Sequence, residues 1–172
     1  MGAFQNFPYC LYNLRKEDVT PRIREIVREE RKKIETKTTD FTGLCKYIAY
    51  AIEERLTKNH ICTCYWVDLN NIISVDHVVL IAEFVAGTEL KRLLIDPTYK
   101  QFTVKDERQL NKPKQLPCER LDKNILKNLL EFGVSDIDNE AFQNYLNSFG
   151  TYLCEINLDE YLKERKIGKR TQ

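Results

Sequence analysis

Residues 75–98 read VDHVVLIAEFVAGTELKRLLIDPT. Val75 to Val85 is a nearly unbroken apolar run of strand length, apolar enough to be central in a sheet. Gly87-Thr88 turns the chain, and Leu90–Ile95 reads as the returning strand. It stops at Asp96-Pro97, because proline removes a ladder donor. Two strands joined this way form an antiparallel hairpin. Upstream, Ile61–Leu69 (ICTCYWVDL) is rich in strand formers. Before it, Gly43-Leu44-Cys45 opens a helix to about Leu56 that buries Ile48, Ala49, Ala51, Ile52 and Leu56. Val19–Ile34 reads as another helix, with Thr20 as cap and Pro21 at the first helical position. Its inward face is Ile23, Ile26, Val27, Glu30 and Ile34.

Downstream, helices are expected near Leu121–Phe132, Asn139–Phe149 and Leu158–Lys166, with Gly133 and Gly150 stopping the first two. Tyr145, Phe149 and Tyr152 read as core at helical spacing. The first 18 residues read as a docked arm, Glu35–Thr42 as a loop and residues 103–119 as an irregular connection. The order is helix, helix, three strands, then helices. That predicts one α+β domain over residues 1–172: an arm and helix over 1–40, a core over 41–102 and C-terminal helices over 121–166.

Composition narrows the function. The chain has 172 residues, 42% hydrophobic and 31% charged, enough for a core and a solvated surface. Its 27 basic and 26 acidic residues leave a formal charge of +1, so it carries no global electrostatic footprint for nucleic acid. The mixed-sign run Arg22–Lys33 is a solvated helix face. No apolar run nears the ~20 residues of a membrane span. The N-terminal segment lacks a signal pattern, and Asn6 stands where a myristoylation motif asks for Ser or Thr. The six cysteines are Cys10, Cys45, Cys62, Cys64, Cys118 and Cys154. In a chain with an ordinary core they read as mostly reduced. The expected workplace is the cytoplasm, or a host cytosol reached as a secreted effector. Cys62 and Cys64, one residue apart, share a strand face, and that gap is not a zinc-knuckle spacing. A thiol-redox or zinc role using Cys62, Cys64 and His60 is the rival reading that they raise.

Three polar residues stand where structure alone does not ask for them. Cys45 opens a helix after a glycine that lets backbone approach closely. His77 enters an apolar strand, and Asp96 ends the next one. The hairpin brings His77 and Asp96 side by side, and a helix packed on the sheet can aim Cys45 at the imidazole. A free thiol, with pKa ~8.5, is mostly protonated at neutral pH. A helix N-terminus and a neighbouring imidazolium both favour the thiolate, and a carboxylate fixes the ring's tautomer and orientation. The Cys45 backbone N–H, at the helix start, can donate to an oxyanion.

At these residues the chain resembles the transglutaminase-like and papain-like cysteine enzyme superfamily. The shared pattern is a G-x-C at a helix start, an apolar strand entered by His, and a strand ending in D-P-T. Here these are Gly43-Leu44-Cys45, Asp76-His77-Val78-Val79-Leu80-Ile81 and Leu94-Ile95-Asp96-Pro97-Thr98. The resemblance spans roughly residues 40–102 and implies a papain-like core: helices packed on a small antiparallel sheet. It also implies Cys45 as nucleophile, His77 as general base and Asp96 as orienting carboxylate. Bacterial glutamine deamidase effectors and toxins of this superfamily often place a glutamine five residues after the aspartate, near the oxyanion. That position is Gln101, and a turn glutamine on the surface is the equal alternative.

Animal transglutaminases place a tryptophan before the cysteine and carry calcium sites. The sole tryptophan here, Trp66, follows Cys45, and no acidic calcium loop is apparent. The R-G-G-x-C of arylamine acetyltransferases is absent, since Thr42-Gly43 precede Leu44-Cys45. The expectation is a thiol hydrolase acting on a protein substrate without cofactor or metal, most readily by glutamine deamidation. Proteolysis and transglutamination are alternatives on the same fold, and a protein-binding module with an idle triad is the rival of another class.

Overall fold

The computed structural model describes residues 17–38, 43–102, 121–150 and 155–170, the last five by backbone alone. These residues form an α+β arrangement with one four-stranded antiparallel sheet. In chain order the elements are α1 (Thr20–Glu35), α2 (Cys45–Lys58), β1 (Thr63–Asp68), the single turn α3 (Asn70–Ile73), β2 (Val78–Ala86) and β3 (Glu89–Ile95). A 3₁₀ turn (Tyr99–Phe102), α4 (Lys123–Phe132), β4 (Val134–Asp136), α5 (Asn139–Asn147) and α6 (Leu158–Arg170) follow. The strands lie in sequence order, β1-β2-β3-β4. Thr63 pairs with Glu83, Leu80 with Ile95 and Ile95 with Val134.

The sheet separates two hydrophobic clusters, as strand alternation requires. Val78, Leu80, Ala82 and Phe84 of β2 pack with Leu93 and Ile95 against α1 and α2. Val79 and Ile81 pack with Leu94 on the opposite face, against Leu129 of α4, Phe142, Tyr145 and Leu146 of α5, and Leu158 and Leu162 of α6. Covered on both sides, β2 is buried from Val78 to Phe84, which is why its sequence shows no polar alternation.

The inward face expected for the first helix is the observed one: Ile23, Ile26, Val27, Glu30 and Ile34 are all buried. Glu30 tolerates that place because Arg55 of α2 reaches it at 3.1 Å while bonding Glu29 at 2.7 Å, tying the two helices together. In α2, Ile48, Ala49, Ile52 and Leu56 are buried as expected, whereas Ala51 is half-buried. Thr20 is not the cap but the first helical residue: Asp18 accepts its backbone N–H at 2.9 Å. The strands start and stop within three residues of the expected limits, with β3 ending at Ile95 as expected, and Leu69 to Ser74 holds the unforeseen turn α3. Unforeseen too is β4, which follows Gly133. That glycine caps α4 at φ +68, as the stop signal implies. The next helix ends at Asn147, three residues short of its expected glycine stop, Gly150. Among the described residues no helix is long and apolar enough to cross a membrane. The expected arm, the connection over 103–119, Tyr152, Cys10, Cys118 and Cys154 lie wholly or mostly outside the described residues.

Candidate functional site

The structure brings Cys45, His77 and Asp96 to one end of the sheet, each placed by a different element. Cys45 is the first residue of α2 and is 5% exposed. Gly43 before it takes φ +77, a left-handed conformation that favours glycine. No described atom lies within 4 Å of where its Cβ would stand. The glycine therefore answers to backbone angle, not to the close approach that the sequence reading assigned it.

His77 stands one residue ahead of β2, where its backbone extends the β1–β2 ladder. Its carbonyl accepts from Leu69 N–H at 2.9 Å, and its N–H donates to Val75 at 2.8 Å. Asp96 follows β3, and its N–H donates to the Gly133 carbonyl at 2.9 Å, extending the β3–β4 ladder. Because Leu80 pairs with Ile95, Asp96 lies opposite Val79, on the face His77 also takes. The two are diagonal cross-strand neighbours, a separation a carboxylate and an imidazole can span.

Both side chains are fully buried, and His77 Nε2 lies 2.9 Å from Asp96 Oδ2. The other ring nitrogen, Nδ1, is buried without a hydrogen-bond partner at ordinary distance among the described residues. Cys45 comes from the opposite layer, round the head of β2, near enough for thiol and imidazole to shift each other's titration. Burial pushes the Cys45 thiol up. His77 and the backbone N–H groups of Val78 and Lys46 outweigh it and hold the thiol below its ordinary value. For His77, burial pushes down, but the Asp96 charge and hydrogen bond, with Cys45, raise it to about 9. Both shifts favour a thiolate–imidazolium pair. Because the two groups are coupled, they titrate as a unit.

An aromatic wall surrounds the imidazole. Phe102 meets His77 edge-on with ring centroids 4.9 Å apart, and Phe149 lies at 6.0 Å. Tyr145 donates its hydroxyl to Asp96 Oδ2 at 2.6 Å. The sequence reading placed Tyr145 in the core, where it is, but missed this bond. A buried tyrosine needs a hydrogen-bond partner, the one signal available beforehand, and nothing local says that the partner is Asp96. Gln101 is half-buried in the 3₁₀ turn and donates one amide N–H to Thr98 Oγ1 at 3.2 Å. That bond holds it within its own turn and leaves its second amide N–H for another acceptor.

The remaining thiols have a different setting. Cys64 is buried and Cys62 half-buried against the same cluster, and burial pushes the Cys62 thiol up to about 12. His60 is exposed in a left-handed turn at φ 51. Among the described residues no three His, Cys, Asp or Glu side chains gather as a metal site needs. Searches of known protein families, curated proteins and solved structures match nothing to this chain.

Proposed function

We propose that the chain is a cysteine-dependent enzyme with a papain-like or transglutaminase-like core that cleaves a protein amide through a thioester, by deamidating glutamine. One observation carries the reading: a helix-opening thiol held below its ordinary pKa beside a buried imidazole that a buried carboxylate grips at 2.9 Å. Nucleophile, base and orienter are the recurrent parts of covalent amide chemistry. A protein substrate is supported by Tyr47 and Tyr50, which are 66% and 64% exposed on the helix that Cys45 opens. Exposed tyrosines are favoured anchors at protein interfaces.

In this mechanism the Cys45 thiolate attacks the carboxamide carbon, forming a C–S bond and an oxyanion. Backbone N–H of Cys45 and the free amide N–H of Gln101 donate to that oxyanion. The imidazolium of His77 gives its Nδ1 proton to the amide nitrogen, the C–N bond breaks and ammonia departs. Water then attacks the thioester while His77 takes one of its protons. The C–S bond breaks, glutamate leaves, and the thiolate–imidazolium pair is restored. A neutral side chain on the target has become a negative one. An amine in place of water gives a transamidated protein, and a peptide amide gives proteolysis.

Intact mass spectrometry of proteins incubated with the wild type and with Cys45→Ala tests the reading. A gain of ~1 Da per modified glutamine, absent with the variant, marks deamidation. An amine adduct with loss of ammonia marks transamidation, and fragments mark proteolysis. Iodoacetamide should also label Cys45 far faster than Cys62 near neutral pH. Equal rates would remove the basis for an activated nucleophile and favour a binding module with an idle triad.

A further inference from the structure

We propose that Tyr145 is a positioning residue of this site, whose hydroxyl locks the Asp96 carboxylate in the rotation that aims the His77 ring at Cys45. The inference rests on the enzyme reading above. Asp96 Oδ2 takes both the His77 Nε2 contact at 2.9 Å and the Tyr145 hydroxyl at 2.6 Å. Its Oδ1, equally buried, has no partner among the described residues. With His77 alone, either oxygen could face the ring and the carboxylate could turn. Two donors converging on one oxygen from different elements hold that oxygen in place and keep the carboxylate at one angle to the imidazole.

Tyr145 is itself held. Ser148 Oγ donates to the Tyr145 carbonyl at 2.6 Å, so its oxygen is left to accept from the Tyr99 hydroxyl at 3.0 Å. The Tyr99 and Phe149 rings pack on Tyr145 with centroids 5.7 and 5.2 Å away. Burial, then the Asp96 charge, push the Tyr145 phenol well above its ordinary value, so it stays a donor across the working pH range.

The titratable groups around this contact are Cys45 at the start of α2, His77 at the head of β2, Asp96 at the end of β3 and Tyr99 in the turn beyond. The exposed Lys46–Asp76 ion pair, 3.4 Å long, lies one residue from Cys45 and from His77. Removing the hydroxyl frees the carboxylate to rotate. His77 then loses its orientation, and less of the thiol is ionised.

The test is the pH dependence of Cys45 alkylation by iodoacetamide in the full chain, for the wild type, Tyr145→Phe and Ser148→Ala. In Tyr145→Phe the midpoint should rise by about one pH unit, with roughly tenfold slower labelling below it. Ser148→Ala loosens the same cluster but keeps the Tyr145–Asp96 bond. It should lower the melting temperature without moving the midpoint. An unchanged midpoint in Tyr145→Phe overturns the proposal. A downward shift also does, since the hydroxyl would then only weaken the Asp96 charge. Equal shifts in both variants mean general loosening and overturn it too. A wild-type midpoint at the ordinary thiol value of ~8.5 removes the enzyme reading and this inference with it, so the two failures are told apart.

Discussion

His77 couples folding to pH. Burial pushes its imidazole down, but the Asp96 charge and hydrogen bond, with Cys45, raise it to about 9, above the ordinary value of 6.5. A raised pKa adds stability that is complete below the unfolded value and is lost as pH climbs through the folded one. Cys45 opposes this. Its lowered pKa adds stability above the unfolded thiol value, lost as pH falls through the folded one. Cys45→Ala isolates the histidine. Urea denaturation of that variant should show stability falling as pH climbs from about 6.5 through a folded value short of 9, because the Cys45 share of the upward shift is gone, by on the order of 2 kcal/mol. Adding His77→Asn should abolish most of the decline, and a decline that persists would assign it to other groups. Asp96→Asn keeps the shape but removes the charge that stabilises the imidazolium. It should cut activity by at least about a hundredfold, read as initial rates of ammonia release. An active Asp96→Asn protein would show that His77 needs no carboxylate.

Among the elements, the three-residue strand β4 matters beyond its length. It brings Gly133 against the turn after β3, where the Gly133 carbonyl accepts the Asp96 N–H. A Cβ at Gly133 would stand 2.9 Å from the Pro97 Cα and 3.1 Å from Val27, and the residue's φ is +68. Gly133→Ala thus meets backbone on one side and left-handed strain on the other. It should cost about 2–4 kcal/mol by chemical denaturation and slow Cys45 labelling, because the clash bears on the residue next to Asp96. A variant as stable as the wild type would mean that this turn can yield. β4 escaped the sequence reading because three residues cannot display a two-residue period, and its partner lies about forty positions back. α3 escaped for a similar reason: one turn gives no helical periodicity.

The whole molecule is held by links that cross between layers. Arg92 of β3 bonds Glu83 of β2 at 2.9 Å and also reaches Asp159 of α6. Arg165 of α6 donates to the Trp66 carbonyl of β1 at 2.6 Å. Glu83 is 7% exposed and also takes the Tyr65 hydroxyl at 3.4 Å. Arg92→Ala would take the guanidinium from beside that buried carboxylate and remove one of the links between α6 and the sheet. A loss of about 2–4 kcal/mol is expected, and Arg92→Ala/Glu83→Gln should recover part of it. A single variant that melts with the wild type would place the pair's energy near zero.

The sequence alone determined the hairpin, the amphipathic faces of the first two helices, and the choice of Cys45, His77 and Asp96 as candidate residues. Each of these is written in local terms: periodicity, turn residues, a proline that stops a ladder. The register that sets His77 diagonal to Asp96, the swing of α2's first residue round the head of β2, and the Tyr145 hydroxyl on the shared carboxylate oxygen were decided by tertiary structure. They join residues 19 positions apart for His77 and Asp96, 32 for Cys45 and His77, and 49 for Tyr145 and Asp96. Such contacts follow from how layers pack, and packing leaves no period in the chain to read.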